Sequence, residues 1–402
     1  MPDESFSEKT STSVSQLVLS IVVTTLCRLV LNTARRFAYP FAPALSRGLG
    51  VPLTAITSLI AVNQATSVLG LFFGPVADRL GYRLMMLTGM ALLTGGMFAG
   101  GFFPFYAVIL VALFLAGLGK SIFDPALQAY ISERVPFHRR GLAIGILEFA
   151  WAGSTLLGIP LIALLIDHLG WRAPFFVMAG LGMLGILALS ILIEKAGQKR
   201  PSMRSQPLFW SAWQQLLQER AALGALSYAF WISVANDNLF VVYGAWLEKK
   251  FSLSIVALGF GTGIIGIAEF AGESLTAALA DRMGLKRSVI GGLAVCIICY
   301  GILSFLSQTL SMALTGLFMV FLTFEFTMVA SLSLFTELVP KSRATMMASF
   351  LASAGIGRVV GALAGGPIWL AGGIQATTLV SAAISGLALV SLVWGLRGWK
   401  KP

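Results

Sequence analysis

Long apolar runs recur at near-regular intervals through the 402-residue chain, and each is about as long as a helix must be to cross the hydrocarbon core of a bilayer. Twelve are read, at residues 17–45, 53–77, 84–103, 104–130, 141–166, 172–193, 221–247, 252–280, 286–306, 309–335, 345–370 and 374–396. Lipid cannot satisfy a backbone N–H or C=O, so each run is expected to close its own hydrogen bonds as a helix. Charged residues are 11% of the chain against about 25% in soluble domains, so most of it is not water-facing surface. A net charge of +11 would suggest nucleic acid in a soluble protein. Here the basic residues cluster between the apolar runs, and membrane orientation accounts for them.

The connections are short except for 194–220, which is polar and carries two prolines. It reads as a cytoplasmic linker between an amino-terminal six-helix bundle (17–193) and a carboxy-terminal one (221–396), with cytoplasmic tails at 1–16 and 397–402. The first tail has no basic region or small-residue cleavage site, so no cleaved signal peptide is expected. With the amino terminus inside, nineteen Lys and Arg fall on the side of the termini and four (Arg47, Arg172, Lys249 and Lys250) on the other. That asymmetry predicts both termini in the cytoplasm.

Sliding the chain on itself by about 204 positions aligns Asp78-Arg79-Leu80-Gly81-Tyr82-Arg83 with Asp281-Arg282-Met283-Gly284-Leu285-Lys286. The same shift superposes Glu133, Pro136 and Arg139 on Glu337, Pro340 and Arg343, Asn32 on Asn236, and Tyr39 on Tyr243. Such duplication is expected of a transporter built from repeats. The segment from Gly74 to Arg83 resembles the loop signature G-x-x-x-D-R-x-G-R-[RK] of the major facilitator superfamily, with Tyr82 in place of a basic residue. The two Glu-x-x-Pro-x-x-Arg segments and Gly170-Trp171-Arg172 are similar to that superfamily as well. The resemblance implies an all-α membrane protein of twelve helices in two pseudo-symmetric six-helix bundles, working by alternating access. It also implies two cytoplasmic gate clusters, Asp78, Arg79, Gly81, Arg83, Glu133 and Arg139 in one half and Asp281, Arg282, Gly284, Lys286, Glu337 and Arg343 in the other. Two departures separate the chain from standard drug/proton antiporters: Leu113 stands where they carry an arginine, and their glycine-proline motif is reduced to Gly153, Gly158 and Pro160.

Several motifs are decoys. Gly119-Lys120-Ser121 ends like a P-loop, but Phe114 stands where its first glycine belongs. Gly261/Gly263/Gly266 and Gly180/Gly182/Gly185 spell G-x-G-x-x-G inside apolar runs, where close helix packing is the expected role, as for Gly357, Gly361 and Gly365. His138 and His168 fall on opposite sides, and Cys27, Cys296 and Cys299 lie in apolar stretches. No cofactor, metal or catalytic constellation is read.

Eleven ionisable residues lie within the runs, each costing about 2.5–3.5 kcal/mol or more unless it meets a partner or a wet cavity. Spacings of four, three and four place Arg28, Asn32, Arg35 and Tyr39 on one face of run one, with Arg36 beside it. A guanidinium fork there suits an anionic substrate group; alternatively, Arg28 pairs with an acid and Arg35 and Arg36 snorkel. Run seven offers Asn236, Asp237, Asn238 and Tyr243 at the equivalent place, and run two adds Asn63 and Gln64. Glu269 and Glu273, four apart, cannot both hold a charge cheaply, which suits a proton carrier; the competing reading is a salt bridge to Arg358 or an arginine of run one. Asp124, Glu148 and Glu325 are further acids, and Lys120 with Asp124 forms a helical ion-pair spacing.

These features predict a monomeric secondary transporter of the bacterial-type inner membrane, whose partners are a small organic solute with an anionic group, protons and the lipid bilayer, with no nucleic acid. The alternative is a polyspecific drug/proton antiporter exporting lipophilic compounds.

Overall fold

The computed structural model describes residues 4–134, 147, 149–193, 216, 218–306, 308–339 and 343–399, and their side chains apart from those of 4–15, 71, 74–79, 132, 133, 281, 343 and 344. Among the described residues there are helices and no strands. The amino-terminal half contains α1 (Glu4–Arg36), α2 (Ala42–Leu49), α3 (Leu53–Leu80), α4 (Tyr82–Phe102), α5 (Tyr106–Arg134), α6 (Phe149–Leu169) and α7 (Ala173–Leu192). The carboxy-terminal half contains α8 (Arg220–Phe240), α9 (Tyr243–Phe251), α10 (Ile255–Met283), α11 (Leu285–Leu303) and α12 (Leu310–Leu338), then a helical stretch Arg343–Gly395. Gly373, at φ +63° and ψ −155°, breaks that stretch into α13 (343–371) and α14 (374–395). Only glycine takes that conformation without strain.

Ten described segments are long and apolar enough to cross a bilayer, and the last of them, Thr345–Gly395, is the broken pair α13 and α14. The remaining crossing is α8, 21 residues long, whose apolar character is diluted by Asn236, Asp237 and Asn238. The result is twelve transmembrane helices in two pseudo-symmetric bundles.

Runs one and seven are not continuous helices. Helix α1 stops at Arg36, the chain turns, and α2 restarts at Ala42. Pro40 has no N–H to extend α1 and biases Tyr39 out of the helical region, while Pro43 suits the first turn of α2. The equivalent break falls at Val241 and Val242, between α8 and α9. Tyr39 therefore does not continue the face of Arg28, Asn32 and Arg35; it stands in the turn.

The bundle has an apolar interior and also an apolar outside, and its charged residues include several that are buried. Leu157, Leu184, Ile191, Phe305 and Val390 are exposed around its outside, whereas Arg28, Asn32, Arg35, Arg36, Lys120, Asp237 and Glu269 are buried within. The halves are pressed together at the end away from the chain termini. There Arg47 Nη1 lies 2.6 Å from Glu248 Oε1, and a Cβ on Gly244 would stand 2.8 Å from Pro40 Cα. The halves also meet where α3 packs on α13 and α6 on α10. Inside α6 the residues Ser154–Gly158 form one π-turn, which sits against Thr33 of α1 and Gly266 of α10.

Candidate functional site

Seven helices and one turn converge on the centre of the bundle. The end of α1 supplies Arg35 and Arg36, the turn Tyr39, α3 Gln64, α6 Trp151, α8 Asn236, Asp237 and Phe240, α10 Glu269, α12 Phe321, Phe324 and Glu325, and α13 Phe350 and Arg358. They enclose a cavity of about 190 Å³. A second cavity of about 370 Å³ adjoins it on the side of the termini and shares Arg35, Trp151, Met328, Phe350, Leu351 and Arg358 with it. Lys120, Asp124 and Ser67 line the second.

A chain of hydrogen bonds crosses between the halves. Arg35 donates to Gln64 Oε1 and, at 2.9 Å, to Ser67 Oγ. Gln64 Nε2 donates to the Tyr39 hydroxyl at 2.5 Å, and that hydroxyl donates to Asp237 Oδ1 at 2.8 Å. Arg35 thus spends its donors on neutral groups. Arg36, one residue on and about 100° around the helix, takes the opposite course. Its Nη2 meets Glu269 Oε1 at 2.5 Å, and its guanidinium lies 4.3 Å over the Trp151 ring. This buried ion pair joins α1 of one half to α10 of the other. A second charged group stays within the amino-terminal half: Asp124 accepts from Lys120 at 2.5 Å and faces Arg28 at 3.4 Å, while Arg28 also donates to the Leu147 carbonyl. Arg358 and Glu325 line the first cavity without a hydrogen bond or ion pair to any described residue. Buried polar atoms also lack partners there, namely Arg36 Nη1, Glu269 Oε2 and Asn236 Oδ1.

Other candidates from the sequence lie elsewhere. Asn32 donates to the Ala150 carbonyl, Asn63 to Leu113, and Asn238 to Thr377 and Ser381, so these amides tie helices together. Tyr243 shares a hydrogen bond with Thr262 at 3.1 Å. Glu273 is half-buried one turn beyond Glu269. Glu148 and Arg139, and the side chains of Asp78, Arg79, Glu133, Asp281 and Arg343, lie outside the described residues. Arg282 is exposed and Glu337 half-buried. Gly81 and Gly284 both take positive φ, +90° and +85°, at the matching α3–α4 and α10–α11 turns. Arg83 donates to the Ser190 carbonyl near the end of α7 and Lys286 to the Leu396 carbonyl just past α14. Each cation thereby caps the negative end of its half's last helix. The aromatic lining and the Arg47–Glu248 contact were not singled out from the sequence. Among the described residues no three His, Cys, Asp or Glu side chains are grouped as a metal ion would require.

A family model described as Major Facilitator Superfamily matches residues 24–324 and 229–402. The chain belongs to the major facilitator superfamily. It is 24% identical over 374 residues to the MFS-type transporter YwfA of Bacillus subtilis (strain 168), covering 90% of this chain and 88% of that one. It is also 24% identical over 289 residues to YceJ of the same organism, covering 72% and 73%. Among solved structures, a D-xylose-proton symporter superposes with a TM-score of 0.78 at 16% identity, covering 96% of this chain and 98% of that one. This chain is accordingly a multi-pass membrane protein and a transporter of the superfamily.

Proposed function

We propose that this transporter moves a small organic anion across a bacterial-type inner membrane by proton-coupled alternating access, with both termini and the 194–220 linker cytoplasmic. The observation that carries the substrate reading is the pair Arg35 and Arg358, two guanidiniums of opposite halves facing one cavity, neither of them within ion-pair distance of a described carboxylate. A guanidinium held by neutral side chains is the arrangement that an anion completes. Binding at a shared surface of both halves is also how a solute influences their rocking. On the proposed topology the closed end faces outward, and the cavity belongs to an inward-facing state.

Arg36–Glu269 supports proton coupling. The pair ties the halves together, so it must break when they part, and a proton on Glu269 removes the attraction that holds it. A polyspecific exporter is the second reading, favoured by the rings of Trp151, Phe240, Phe321, Phe324 and Phe350 around the cavity.

Substrate uptake and counterflow in proteoliposomes test the anion reading. Arg35→Ala is expected to weaken anion binding by about 2–5 kcal/mol, and Arg35→Lys to recover only part, since the charge returns without the planar fork. A neutral or cationic substrate that binds Arg35→Ala as tightly as wild type would end this reading in favour of the exporter. Topology has its own test. Lys249→Cys is expected to react with an impermeant maleimide in intact cells while Lys199→Cys is protected, and the reverse pattern would invert the orientation.

A further inference from the structure

The charges around the two cavities are sorted by half. Among the described residues, α1 and α5 of the amino-terminal half bring Arg28, Arg35, Arg36 and Lys120 with one acid, Asp124. The carboxy-terminal half answers with Asp237, Glu269, Glu273 and Glu325 and one base, Arg358. Much of this charge is matched internally: Asp124 takes Lys120 and Arg28, Glu269 takes Arg36, and Asp237 accepts from Tyr39.

What remains without a bonded carboxylate or donor is of both signs. Arg35 and Arg358 ask for an anion. Glu325, which lines the same cavity with no bonded partner, asks for a donor. Independently, Asn236 Oδ1 and Glu269 Oε2 are buried acceptors with no donor, on residues 7% and 4% exposed that also line this cavity. A buried acceptor left without a donor is costly, so native sites of this kind are completed by a ligand or water. Phe321 and Phe324, one turn and one residue before Glu325 on α12, put aromatic rings in the same wall. Carboxylate beside aromatic faces is the chemistry that holds an ammonium group. The volume of about 190 Å³ equals that of roughly six waters, room for a compact solute.

We propose that the substrate is a zwitterion, its anionic group held by Arg35 and Arg358 and its protonated amine by Glu325 beside Phe321 and Phe324, with Asn236 accepting a further hydrogen bond. This rests on the organic-anion reading and narrows it: the solute brings its own positive charge, so Glu325 is a binding residue, while Glu269 is left to the proton.

The purified protein is screened by thermal unfolding against three matched sets: amino acids with aromatic or branched bodies, including those with the amine one to three carbons further out, the corresponding des-amino acids, and the corresponding amines lacking the carboxylate. Stabilisation greatest for the amino acids is expected, with the best of them losing about thirty-fold or more in affinity when the amine is removed. In Glu325→Gln the amino acid should fall to the level of its des-amino analogue, whose own affinity stays within threefold of wild type. Des-amino acids that bind as well as amino acids would overturn the zwitterion and leave the organic-anion reading standing. Amines that bind without a carboxylate would overturn both, and a screen in which no amino acid stabilises the protein would overturn the zwitterion as well. The comparison of analogues on wild type decides the matter even if Glu325→Gln does not fold.

Discussion

Glu269→Ala is expected to destabilise the transporter by about 3–5 kcal/mol, because it strands the Arg36 guanidinium in the bundle without its counter-charge. Arg36 is 4% exposed, its Nη1 already lacks a partner, and the Trp151 face beneath it cannot replace a carboxylate. Removing both partners is a different perturbation. Arg36→Met with Glu269→Leu leaves no orphaned charge and should regain most of the lost stability, since a buried pair is often no better than well-packed apolar side chains of similar size. Thermal unfolding of the four proteins gives the coupling directly as a double-mutant cycle. Transport should separate from stability. Glu269→Gln is expected to keep counterflow and lose accumulation driven by a pH gradient, and the apolar double mutant should lose it too. If the gradient still drives accumulation in Glu269→Gln and Glu273→Gln alike, Asp124, Glu148 and Glu325 become the next candidates for the coupling acid. If Glu269→Ala melts with wild type, the pair does not hold the halves.

The architecture was legible from the sequence because its signals are local and repeated. Apolar length marks each crossing, and the shift of about 204 residues carries its own confirmation in the paired turns of Gly81 and Gly284. The breaks in runs one and seven were not legible from length, since apolar composition continues straight through Phe37–Phe41 and Val241–Val242. Partner choice was harder still. Arg35 and Arg36 are adjacent and chemically identical, yet 100° of helix sends one to Gln64 and the other to an acid 233 residues away. Aromatic lining gives no sequence signal at all: Phe149 is 60% exposed at the outside of α6, while Trp151, two residues later, lies under Arg36 in the cavity wall. In a soluble protein burial sorts such residues, but lipid and a ligand cavity both accept an aromatic ring.

Glycines show the same limit, and they yield the second large effect. All nine glycines of the three spaced patterns look alike in the sequence, but the structure divides them. Gly180 and Gly263 have nothing within 4 Å of a built Cβ, and Gly261 meets only Leu314 at 3.9 Å. Gly182 faces Thr94, Gly185 faces Met90, and Gly266 faces Leu156 and Thr155. Gly357, Gly361 and Gly365 form a groove in α13 that receives the backbone of α8 at Phe230, Val234 and Asn238. At Gly361 a Cβ would stand 2.5 Å from the Val234 carbonyl oxygen and 3.0 Å from Asp237 Cβ. Backbone cannot swing aside as a side-chain tip can, so α8 must move as a unit, and it carries Asp237 and Asn236 with it. Overpacking commonly costs about 1–3 kcal/mol, and a rigid backbone neighbour puts Gly361→Val at or above the top of that range. Gly361→Val should therefore lose most folded protein in detergent and, in what survives, break the Tyr39–Asp237 hydrogen bond that closes the chain from Arg35. Gly263→Ala and Gly180→Ala are the matched controls: with open space and a helix interior, alanine should be neutral or stabilise by up to about 1 kcal/mol. Equal thermal stability of Gly361→Val and Gly263→Ala would mean that α8 and α13 do not meet through this groove.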